Sequence, residues 1–117
     1  MSAEEYAART PVVSIATRTK DGREIVTLIW AVVVDGSAYI RNGYGAASKW
    51  FGRASRNGGV AFADGDVRYP IRLERADPKV FDAVDEAYRS KYPDGYGLTE
   101  ITTEPMRSNT LRVVVDD

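Results

Sequence analysis

Between two turn signals, Lys20-Asp21-Gly22 and Asp35-Gly36, the chain runs from Glu24 to Val34 with apolar residues on both parities. Ile25, Ile29, Ala31 and Val33 occupy one parity; Val26, Leu28, Trp30, Val32 and Val34 occupy the other. A strand of this kind must be covered on both faces. Its expected setting is a barrel wall that also meets a helix or another subunit. The run is too short to span a bilayer as a helix.

The flanking sequence supplies the rest of such a barrel. Ser2 with Glu5 makes a capping box for a short helix over Ala3 to Arg9, stopped by Pro11, and Val12 to Arg18 is β-branched enough for a strand. Asp35-Gly36 closes a hairpin into a strand over Ala38 to Asn42. Gly43 and Gly45 mark an irregular crossing into a helix over Ala46 to Asn57, which Gly58-Gly59 ends before a strand over Val60 to Ala63. From Val67 to Arg75, Val67, Tyr69, Ile71 and Leu73 alternate with Arg68, Pro70, Arg72 and Glu74, and Pro70 makes this strand an edge or a bulge. Asp77-Pro78 opens a helix to about Tyr92 with Phe81, Val84, Tyr88 and Tyr92 on its apolar face. Asp85 and Arg89 form a four-residue pair on its wet side. Gly97 to Ser108 reads as a loop and Thr110 to Val115 as the last strand. The expectation is one mainly β (α+β) domain over residues 1–117: an antiparallel barrel of about six strands with two main helices.

Composition narrows the chemistry. The 117 residues include no Cys and no His. Disulfides, thiol nucleophiles, thiolate metal sites, Ser-His relays and imidazole bases are therefore excluded. Glu4, Glu5 and Arg9 interrupt any signal-like apolar stretch, so the cytoplasm is the expected address and no membrane partner is expected. A chain so poor in reactive side chains suits a cofactor that brings its own reactivity.

Net charge is −1, but its distribution is uneven. Gly36 to Ala63 contains no Asp or Glu and carries Arg41, Lys49, Arg53 and Arg56, so this segment holds +4 and the remainder −5. Lys49, Arg53 and Arg56 fall at i, i+4 and i+7 on one side of the middle helix, with Trp50 on a neighbouring stripe. Gathered cations point to an anion such as a phosphate, to which Ser48 adds a hydroxyl and the Gly43/Gly45 backbone a close approach. The alternative is a solvated basic face over a helix anchored by Trp50 and Phe51. Thr27 and Trp30, three apart on the long strand, lie on opposite faces; Thr27 is placed to bond a heterocycle, and Trp30 to wall a pocket or fill the core. Asp85 and Glu86 face different directions and make no acid–base pair. Gly43-Tyr44-Gly45 lacks the third glycine of a dinucleotide loop.

The segments AYIRNGYGAASKWFGRASRNGGVAFADGDVRYPIRLER, DPKVFDAVDEAYRSKY and NTLRVVV together resemble the bacterial family "domain of unknown function 2255", over about Val12 to Val115. That family sits in the split β-barrel superfamily of pyridoxamine-phosphate-oxidase-like and deazaflavin-dependent reductases. The resemblance implies a split barrel and a homodimer with flavin (FMN) or deazaflavin-coenzyme sites between subunits. It places Tyr39-Ile40-Arg41 and Ser48-Lys49-Trp50 at the stations that hold the cofactor phosphate, and Thr27 where second-strand residues face the ring. The Ser-Arg-Lys tripeptide of the oxidase branch is reduced here to Ser48-Lys49; a Trp opening the helix belongs to the deazaflavin branch. The expected site is thus Thr27, Arg41, Ser48, Lys49, Trp50 and Arg53, serving hydride transfer to or from a small molecule, with no catalytic acid or base named. The alternatives are a non-enzymatic module for a phosphorylated ligand or for dimeric interaction, and nucleic-acid binding through the basic helix. The pI near 5.5 speaks against the last.

Overall fold

The computed structural model describes residues 2–41, 50, 52–54 and 60–115. Seven strands, β1 (Val13–Arg18), β2 (Glu24–Ile29), β3 (Ala31–Val34), β4 (Ser37–Arg41), β5 (Val60–Asp64), β6 (Val67–Arg75) and β7 (Thr110–Val114), form one antiparallel sheet. Its order is β2-β1-β5-β6-β7-β4-β3, curled into a half-barrel. The helices are α1 (Ala3–Arg9), α2 (Phe81–Lys91, led by a 3₁₀ turn at Pro78–Val80), α3 (Tyr96–Ile101) and α4 (Glu104–Arg107). Trp50 and residues 52–54 are helical, and the rest of the expected middle helix lies outside the described residues. None of the described helices is long and apolar enough to cross a membrane.

The split-barrel expectation holds, with one strand more than expected. The long apolar run breaks at Trp30: β2 pairs with β1 from Val13↔Ile29 to Arg18↔Glu24, while β3 pairs with β4 from Ala31↔Ile40 to Val34↔Ser37. Consecutive strands therefore occupy opposite ends of the sheet, and Trp30 is the seam where those ends meet. The Tyr88 hydroxyl donates to the Trp30 carbonyl at 3.2 Å, satisfying a backbone group that no ladder can use there. The β3–β4 turn places Asp35 and Gly36 at φ 50° and 82°, the paired left-handed conformation of a two-residue hairpin.

The two halves of the run differ in burial. Around β3, Ala31, Ala38 and Ile40 face one core with Tyr6, Ile15, Phe62 and Leu111, while Val32 and Tyr39 face a second with Val84, Tyr88 and Tyr92 of the α2 region. Double coverage is thus correct for β3. Within the single chain the outer face of β2 is uncovered, with Val26 and Leu28 49% and 68% exposed.

Pro70 is reconciled by a change of partner within β6. Residues Val67 to Ile71 pair with β5, and Arg72 to Arg75 pair with β7. The strand is central, yet Pro70 stands in the half bonded to β5 alone, where its missing N–H costs no ladder bond. The expected loop at 97–108 instead holds α3 and α4, two helices too short to show a period. The expected Asp85–Arg89 pair does not form: Arg89 pairs with Glu86, and Asp85 is buried against Arg41.

Candidate functional site

The bend at Trp30 turns the end of β2 toward the helices that follow α2 and opens a cleft of about 540 Å³. That volume lies in the range of small-molecule sites. One wall is Thr27, Leu28, Ile29 and Trp30; Trp50 stands on another; Gly97, Glu100, Ile101 and Met106 of the α3–α4 segment form a third.

Trp30 is held from two sides. Its ring stacks on Tyr92 at 4.1 Å and 10°, and α3 closes on it so tightly that a Cβ at Gly97 would lie 3.0 Å from its Cη2. Tyr92 in turn receives the Ala31 N–H and donates to the Ala31 carbonyl, both at 3.1 Å. Burial pushes the Tyr92 phenol up to about 12 and raises the Tyr88 phenol further. Lys91 Nζ donates to the carbonyls of Ala7 (2.7 Å) and Ala31 (2.6 Å), and burial lowers its pKa. These groups brace the seam.

Four of the six expected site residues are described. Thr27 and Trp50 line the cleft. Arg53, one helical turn beyond Trp50 and half-buried, donates through Nε to Thr17 Oγ1 at 2.8 Å, and its Nη2 lies 3.5 Å from Thr27 Oγ1. Its partners among the described residues are hydroxyls, which orient the guanidinium and carry no charge of their own. Ser48 and Lys49 lie outside the described residues, as do Gly43, Gly45 and Arg56.

Arg41 is the fourth described site residue. It borders the cleft, but its side chain is fully buried and its guanidinium is committed to the protein. Nη1 meets Asp85 Oδ1 at 2.5 Å and the Ile101 carbonyl at 2.9 Å, Nε donates to Thr110 Oγ1 at 2.9 Å, and Nη2 donates to the Phe81 carbonyl at 3.1 Å. A phosphate would have to replace these contacts and compete with a carboxylate already in place. Arg41 instead joins β4 to β7, α2 and α3. Asp85 also faces Arg107 Nε at 3.0 Å, and Arg107 reaches Asp82 and Glu104, which fastens α4 to α2.

Thr17, Asp85 and Gly97 make contacts to expected site residues or to the cleft wall that the sequence pattern did not assign to them. Thr17 sits among β-branched strand residues and Asp85 four residues before a suitable arginine, while Gly97 follows Gly95 in a stretch without periodicity. Among the described residues no group of Asp and Glu is arranged to hold a metal ion.

The chain is similar in fold to several solved structures. A conserved hypothetical protein, Rv2991, from Mycobacterium tuberculosis aligns at TM-score 0.64 and 21% identity, covering 99% of this chain and 80% of that one. An F420-H2 dependent reductase (FDR-A) aligns at 0.60 and 19%, covering 89% and 93%. A heme binding protein from Mycobacterium smegmatis aligns at 0.61 and 15%, covering 98% and 51%. At these identities the likeness is one of fold. No curated protein matches the sequence. The family model described as "Uncharacterized protein conserved in bacteria (DUF2255)" matches residues 6–113, nearly the whole chain, and the protein belongs to that family.

Proposed function

We propose that the cleft binds FMN or the deazaflavin coenzyme and that the protein is an oxidoreductase acting on a small molecule. The observation that carries this reading is Arg53: a half-buried guanidinium beside Thr27 of the cleft wall, whose partners among the described residues are the hydroxyls of Thr17 and Thr27. Trp30, braced by Tyr92, and the buried Trp50 give the cleft aromatic walls, Thr27 offers a hydrogen-bonding hydroxyl, and Arg53, with Lys49 and Ser48 on the preceding segment, an anchor for a phosphate. Arg41 is left out of that role. The bound cofactor would supply hydride transfer, and the chain would supply binding, orientation and exclusion of water. Haem fits less well, because the chain has neither His nor Cys to ligate it.

The fold likeness to an F420-H2 dependent reductase supports the deazaflavin branch of this reading. A homodimer is part of the proposal, supported by the exposed Val26 and Leu28 on the end strand of the sheet. The test is equilibrium titration of the purified protein with FMN and with the deazaflavin coenzyme. Saturable binding of one of them, with turnover in the presence of an electron donor, is expected. Binding of neither refutes the reading; binding without turnover across donors replaces it with a non-enzymatic module for a phosphorylated ligand.

A further inference from the structure

Val13, Ile15 and Thr17 share one face of β1, and all three are completely buried. Two of them are hydrocarbon, and the third carries a hydroxyl into the same interior. A buried hydroxyl costs free energy unless it is hydrogen-bonded. Its partner among the described residues is Arg53, whose Nε donates to Thr17 Oγ1 at 2.8 Å. The neighbouring strand adds a second hydroxyl on the same face: Thr27 lies opposite Ile15 in the β1–β2 register, two pairs along from Thr17, and its Oγ1 is 3.5 Å from Arg53 Nη2.

The choice of atom and of residue type matters. Holding a guanidinium by Nε leaves its two Nη groups as a planar fork free to engage an oxyanion in a bidentate manner. Thr27 belongs to the cleft wall, so the Nη2 end of the fork lies next to that wall. A carboxylate at position 17 would hold the arginine more strongly and would also cancel its charge. That outcome is realised elsewhere in this chain, at Arg41 and Asp85. A threonine hydroxyl orients without neutralising, and β-branching fixes its χ1 so that the acceptor stays put.

We infer that Thr17 is a positioning residue: it holds Arg53 by Nε so that the Nη pair faces the cleft and receives the phosphate of the bound cofactor. This rests on the cofactor reading above. The wild-type chain and the Thr17→Val, Thr17→Ser and Arg53→Gln variants are titrated with FMN and with riboflavin, which has the same ring and no phosphate. Valine is close to isosteric and suits a buried strand position, so T17V is expected to fold; thermal melting of each variant checks this.

Three results are expected together. T17V weakens FMN about tenfold and leaves riboflavin within twofold. T17S restores FMN affinity to near the wild-type value. The double variant T17V/R53Q binds FMN no more weakly than R53Q alone. Unchanged FMN affinity in T17V, equal loss of FMN and riboflavin, or additive losses in the double variant would overturn the role of Thr17 while leaving the cofactor reading intact. If T17V does not fold, the decision falls to T17S and R53Q: R53Q must lose FMN selectively while T17S keeps it, and any other pattern overturns the inference. A wild-type chain that binds neither FMN nor the deazaflavin coenzyme overturns both.

Discussion

Replacing Asp85 by Asn removes one negative charge from a site where Arg41 is completely buried, and changes almost nothing in shape. Breaking a buried ion pair from one side costs about 3–5 kcal/mol, because the remaining charge is left uncompensated. Arg41 keeps three acceptors in the variant, Thr110 Oγ1 and the carbonyls of Ile101 and Phe81. Arg107, which also faces Asp85, keeps Asp82 and Glu104. The loss therefore belongs at the lower end, about 3 kcal/mol. Unfolding entropy scales to about 0.25 kcal/mol/K for a chain of this length, so Tm should fall by about 12 °C. Thermal unfolding followed by circular dichroism, with urea titration as a second measure, reads the effect. The same charge change at Glu86, an exposed partner of Arg89, should move Tm by no more than about 2 °C. A D85N midpoint within about 3 °C of wild type would refute the assignment of Arg41 to a structural, charge-compensated role.

Gly97→Ala puts a methyl group 3.0 Å from Trp30 Cη2, so the indole or α3 must shift, at a cost of about 1 kcal/mol or more. In a Trp50→Phe background, a changed Trp30 emission maximum reports the shift, and an unchanged spectrum and Tm would disprove the close contact. Alkali should act through the seam tyrosines: with Tyr92 at about 12 folded and about 10 unfolded, its contribution is complete below pH 10 and is lost as pH rises from 10 to 12. Tyr92→Phe should therefore flatten the decline in urea midpoint over that interval, and an equally steep decline would count against it. Leu28→Lys should convert a species of twice the 12.9 kDa chain mass into a monomer in sedimentation velocity; a monomeric wild type, or a dimer indifferent to the lysine, removes this strand from the proposed interface.

Much of the sheet is legible in the chain because its signals are local. The Asp35-Gly36 hairpin and the alternation from Tyr69 to Leu73 are properties of a few neighbouring residues, and both are found where expected, whereas Val67 at the start of that strand is 50% exposed. The break at Trp30 is not local. Whether an apolar run stays one strand depends on which partner each half meets, and those partners, β1 and β4, stand second from opposite ends of the sheet order. Likewise the cluster of cations predicts an anion without saying whose. Arg41 finds its anion within the protein, at Asp85, while Arg53 finds two hydroxyls. The sum of charge over a segment cannot separate these outcomes, because the deciding partner of Arg41 lies 44 positions further along the chain.

The seam at Trp30 has a bearing on how this chain tolerates cutting. A single residue, Trp30, joins the two terminal strands of the sheet, so the ends of the half-barrel are tethered side by side although no ladder spans them. Circular permutation that opens the backbone between Ile29 and Ala31 would sever that tether and free two strand margins, one of them bearing Val26 and Leu28. Unanchored margins of that kind recruit foreign strands. The permutant should then aggregate even though every ladder bond of the parent remains available to it.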